Sequence, residues 1–177
     1  MELHMHSHHF TRRMPDWRAA AMAGFAAGVV FLVVEMVVLW LMGESPWGLP
    51  RMIGAIVMGP SVVSQAAPGA GIMLVGLVVH FALSIVLGLI LAVIMAPFSF
   101  DSSVGMASLA GAVFGVAVYW INFYGMTQVF PWFVEARSAL SFLAHVVFGL
   151  VAADAYLKLE RKIDNKIESP SGAGFTG

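Results

Sequence analysis

Among the polar side chains that interrupt otherwise apolar stretches of this sequence, four stand out: Glu35, His80, Asn122 and His145. A carboxyl group and two imidazoles can exchange a proton, bind a cation or hold a hydrogen-bonding ligand. Two His and one Glu also form the ligand set of a non-haem iron facial triad, and a His pair across helices can hold haem b. The plainer use of such residues is interhelical hydrogen bonding, worth about 0.6 kcal/mol per contact in a membrane. Glu35 weighs toward a ligand, proton or metal site, because a carboxylate in hydrocarbon costs at least ~2.5–3.5 kcal/mol and needs a partner or a proton.

Spacing says where these side chains point. Gly76, His80, Ser84 and Gly88 recur at every fourth position, as do Ser141, His145, Gly149 and Ala153. Each set forms one stripe of small residues along a helix, the kind of face on which membrane helices approach one another. Gly24, Gly28 and Glu35 share a face, and so do Gly111, Gly115 and Asn122. Counted from the outer ends of their helices, Glu35 and His145 lie ~10 Å deep, His80 ~14 Å and Asn122 ~6 Å. All four are therefore expected in one inward-facing layer, with His80 and His145 approaching each other and Glu35 beside them.

Other residues offer weaker chemistry. His4, His6, His8 and His9 could bind zinc, copper or nickel, or form a solvated tract. Asp154 has Lys158 four residues on, which predicts a local ion pair. The 12 methionines read as packing, and the absence of cysteine removes disulfides, thiolate metal sites and thiol catalysis. No nucleophile motif, phosphate loop or dinucleotide fingerprint is found, which disfavours an enzyme.

The elements that must position these residues follow from hydropathy. The chain has 177 residues, 60% hydrophobic and 11% charged, with a mean hydropathy of +0.88. That is too apolar for a soluble domain, so a bilayer must act as solvent. A net charge of −1 gives no basic field for nucleic acid. Apolar runs at 19–42, 71–96, 104–126 and 138–157 each have 20 or more residues, enough to cross ~30 Å of hydrocarbon. The run 52–64, broken by Gly59 and Pro60 and followed by Pro68 and Gly69, is too short to span and predicts an interfacial or re-entrant segment.

Arg12, Arg13 and Arg18 precede the first span, and Lys158, Arg161, Lys162 and Lys166 follow the last, against Arg51 and Arg137 in the intervening outer loops. By the positive-inside rule both termini are expected in the cytoplasm. The Arg12-Arg13 pair suggests an export signal, but the first span is too long for one and carries Glu35, so it is read as an anchor. Trp40, Trp47, Trp120, Tyr124 and Trp132 gather toward the outer boundary as an aromatic belt. The chain thus divides into a His-rich cytoplasmic segment (1–18), a four-helix transmembrane domain (19–157), and a basic then disordered cytoplasmic tail (158–177).

A repeat is visible in the punctuation. Gly24, Gly28 and Glu35 match Gly111, Gly115 and Asn122, and Pro46-Trp47 with Arg51 matches Pro131-Trp132 with Arg137. Each half then returns through a helix with one histidine. This predicts duplication of a two-helix unit, the copies related by a pseudo-two-fold axis along the membrane normal.

From Gly76 onward the chain resembles small bacterial inner-membrane proteins and is more loosely similar to the YagU-like inner-membrane family. The residues that carry the resemblance are Val79-His80-Phe81-Ala82-Leu83-Ser84-Ile85-Val86, Asn122-Phe123-Tyr124-Gly125-Met126-Thr127, Phe130-Pro131-Trp132-Phe133, and His145 with Phe148-Gly149. The resemblance implies a bacterial cytoplasmic membrane and brings no activity with it.

The expectation is an all-α integral membrane four-helix bundle, as a homo-oligomer or a subunit of a membrane complex. Three uses of its polar layer stay open: a small-molecule, proton or cation binding or transport component, a redox protein holding haem b or iron through His80 and His145, and a structural subunit.

Overall fold

The computed structural model describes residues 14–64, 69–96 and 103–168, with side chains through Ile163. His4, His6, His8 and His9, and Pro68, lie outside the described residues. The bundle is all-α, with four helices long and apolar enough to cross a membrane.

Local chemistry sets where the helices begin. Helix α1 (Trp17–Leu41) starts where the Asp16 carboxylate accepts from the backbone N–H groups of Arg18 and Ala19, both at 2.9 Å. These are two of the donors that a helix start leaves without an intrahelical partner. The short helix α2 (Gly48–Met58) stops at Gly59, whose φ of 90° suits glycine, and Pro60 opens a single 3₁₀ turn, Pro60–Val62. With 11 residues it is too short to cross ~30 Å of hydrocarbon as a helix, in keeping with the broken 52–64 run. Helix α3 (Ala70–Met95) returns through the bundle, and α4 (Val104–Trp120) begins at Ser103, whose hydroxyl accepts from the Met106 N–H at 3.2 Å.

After Trp120 the chain widens into a π turn, Ile121–Gly125, then tightens into 3₁₀ turns at Met126–Gln128 and Pro131–Ala136. The Phe123 carbonyl there accepts from the Thr127 hydroxyl at 3.1 Å and from the Arg137 guanidinium, which also stacks 4.1 Å over the Tyr124 ring. Helix α5 (Ala139–Glu168) starts where Ser138 accepts from the Ser141 N–H. It continues past the predicted end of the span at Leu157 through the basic segment, so residues 158–168 are helical. At Asp154 the bond comes from Ser108 of α4, at 2.9 Å, in place of the expected Lys158 ion pair.

The spanning helices are arranged in the order α3, α1, α5, α4, and α2 packs on α3. Extensive contact joins α1 to α3, α1 to α5 and α4 to α5, whereas α3 and α4 barely touch. The α1–α5 interface is built largely of alanine, including Ala20, Ala23, Ala27, Ala144 and Ala152, with Phe31 and Phe148 toward one end. Small side chains bring the helix axes close, where dispersion rather than the hydrophobic effect holds membrane helices together.

Glycine matters at the two other crossings. A Cβ on Gly88 would lie 2.6 Å from the Gly24 Cα, so α1 and α3 meet backbone to backbone. On the other side Gly111 and Gly115 meet the backbone of α5 at Gly149 and His145. The two helix pairs therefore cross at matching positions.

Candidate functional site

All four polar residues singled out by sequence line one cavity of about 240 Å³. Glu35, His80 and His145 are buried and Asn122 is half-buried. The expectation of a single inward-facing layer therefore holds for their positions. Leu49, Ile53 and Ile56 of α2 and Phe133 form one end of the cavity, and the Trp132 indole N–H donates to the Met52 carbonyl at 3.0 Å, tying the loop after α4 to α2.

The two histidines are held differently. His80 Nε2 lies 2.9 Å from the Gly28 carbonyl oxygen. A carbonyl only accepts, so Nε2 carries the proton. His145 Nδ1 lies 2.6 Å from the Ser141 carbonyl and therefore carries its own proton there. Its Nε2 is then the acceptor for the Asn122 amide N–H, at 3.1 Å. The two rings thus place a proton on opposite nitrogens, Nε2 in His80 and Nδ1 in His145, and both Nε2 atoms are engaged.

They also do not meet. The Phe31 ring lies 5.8 Å from His80, stacked, and 4.9 Å from His145, edge-on. His145 is further packed against the rings of Tyr119 and Phe123. The expected approach of the two histidines is replaced by an aromatic bridge, because Phe31 sits one turn before Glu35 on the same face of α1 and fills the space between them.

Among the described residues no group of three His, Asp or Glu side chains is placed to hold a metal ion. The facial triad of Glu35, His80 and His145 is therefore not assembled. A bis-histidine haem would require both Nε2 atoms to leave their partners and Phe31 to leave the gap between the rings.

Glu35 is the exception to this satisfied network. It is only 6% exposed, and its Oε1 atom is buried with no hydrogen-bond partner. Buried polar atoms in folded proteins almost always find one, and leaving one unmade costs roughly 1–3 kcal/mol. Ser141 was named in the sequence only as part of a stripe. Its second role comes from the helix geometry that puts its carbonyl one turn before His145. No family model, curated protein or solved structure matches this chain.

Proposed function

We propose that the chain is a binding or transport component of a bacterial cytoplasmic membrane, with both termini in the cytoplasm and Glu35 as the anchor of its ligand. The observation that carries this reading is the Glu35 Oε1 atom, buried, without a partner and lining the cavity. That oxygen accepts when the carboxyl is ionised and can donate when it is protonated, so the ligand is one that hydrogen-bonds a carboxyl group. The imidazoles and Asn122 shape and brace the wall around it. The matching glycine crossings support descent of the two helix pairs from one duplicated unit.

The test is what the purified protein carries. Protein extracted into nanodiscs is expected to retain a small molecule, detected by mass spectrometry of the released contents, that Glu35→Leu protein lacks. Identical contents in the two preparations would remove Glu35 from any ligand-binding role.

A further inference from the structure

The four-helix array has two seams between its helix pairs, and they are built in opposite ways. The α1–α5 seam is closed by alanine and phenylalanine. The α3–α4 seam is open, and the Glu35 cavity runs out into it past Leu83, Val86, Ile121 and Met126, all exposed on the side of the bundle. A second, separate cavity of about 350 Å³ lies farther along α4 toward the other end of α3, bounded by Ile94 of α3 and by Met106, Leu109, Val113 and Ala117 of α4. No polar side chain lines it. From Val86 to Ile94 is eight residues along α3, about 12 Å toward the other face of the membrane. The seam thus has a partnerless carboxyl oxygen at one end and a purely apolar trough at the other.

We infer that the occupant is a single-chain amphiphile that enters sideways from the lipid between α3 and α4, its hydrogen-bonding head group on Glu35 Oε1 and its hydrocarbon chain along the trough. This rests on the reading of Glu35 as a ligand anchor and adds the ligand's class and route. Three features carry it. The partnerless carboxyl oxygen asks for a hydrogen-bonding head group, a hydroxyl for either form of the acid or an ammonium for the ionised one. The apolar trough fits a chain and not a second polar group. On the other side α2 lines the cavity with Leu49, Ile53 and Ile56, and the Trp132–Met52 bond ties that helix to the loop after α4. The cavities together match the scale of ordinary ligand pockets, roughly 300–1,000 Å³.

The experiment uses the full chain in nanodiscs with a long-chain alcohol carrying a photoreactive diazirine in its tail, the adducts being mapped by mass spectrometry. Adducts are expected at Leu109 and Val113, with lauryl alcohol and laurylamine competing and dodecane not. Glu35→Leu is expected to lower this labelling about tenfold or more, the effect of losing one hydrogen bond to a carboxyl group. The variant V113W, which fills the trough without touching Glu35, is expected to lower it as well. Labelling spread evenly over lipid-facing positions such as Val33 and Leu143, and indifferent to Glu35, would overturn the proposal. So would efficient disulfide dimers of V113C, which would show a second copy seated in the seam. Loss of the retained molecule in Glu35→Leu protein without labelling of the seam would overturn the sideways amphiphile and leave the anchor standing. Failure of both results would remove both readings.

Discussion

The pair α1–α3 and the pair α4–α5 cross through glycines at matching positions, yet they treat their polar residues unequally. In the second pair His145 and Asn122 satisfy each other, and Ser141 takes the remaining imidazole proton. In the first, His80 turns its proton to a backbone carbonyl of α1, and Glu35 keeps an oxygen with no partner. One pair is internally satisfied and the other is not. The comparison teaches that equivalent positions along two helices need not do equivalent work: the second pair braces the cavity, and the first offers it an unmet bond.

The largest effect that would sharpen this contrast lies at the glycines. A Cβ on Gly115 meets the His145 carbonyl, backbone that cannot rotate away, whereas one on Gly28 meets the Ser84 side chain. Gly115→Ala is expected to cost about 3 kcal/mol and Gly28→Ala about 1, as read by thermal unfolding in detergent. Equal losses would mean that the two crossings are mechanically alike.

The histidines come next. His145→Ala removes two hydrogen bonds and contacts with three aromatic rings, and should cost about 3 kcal/mol. His80→Ala, which gives up one bond to a carbonyl and contacts with the Phe31 and Phe81 rings, should cost about 2 kcal/mol. A larger loss at His80 would reverse the assignment of the bracing role.

The smallest effect is the most pointed, because its sign differs between the pairs. Glu35→Leu should raise stability by about 1 kcal/mol, since it removes an orphaned buried oxygen, and Asn122→Leu should lower it by a similar amount, since it orphans His145 Nε2. If calorimetry finds both changes destabilising, Glu35 is satisfied after all and the contrast between the pairs collapses.

How much of this was legible in the sequence depends on what kind of information a residue carries. Run length and hydropathy disclosed the four spans, and Gly59-Pro60 disclosed the break that keeps α2 short. The every-fourth-residue stripes disclosed that His80 and His145 face inward. The extension of α5 was hidden, because Lys158, Arg161 and Lys162 lower hydropathy while remaining good helix formers. Phe31 was hidden for another reason: among 13 phenylalanines, nothing local marks the one that lies between two imidazoles. The open seam is a property of how helices are arranged side by side, to which a periodicity along one helix is blind.

Asn122 reaches His145 from within the π turn Ile121–Gly125. In residue arithmetic such a turn is an α-helical turn with one residue too many. Everything before it keeps one helical phase and everything after it keeps another, about 100° apart per residue gained or lost. Reading frame along the helix is thereby set at a single place, and a one-residue deletion at Tyr124 or Gly125 would re-aim the segment carrying Arg137 together with Met126 and Phe133 of the cavity wall. The spacing of the polypeptide, as much as its chemistry, is an inherited part of this site.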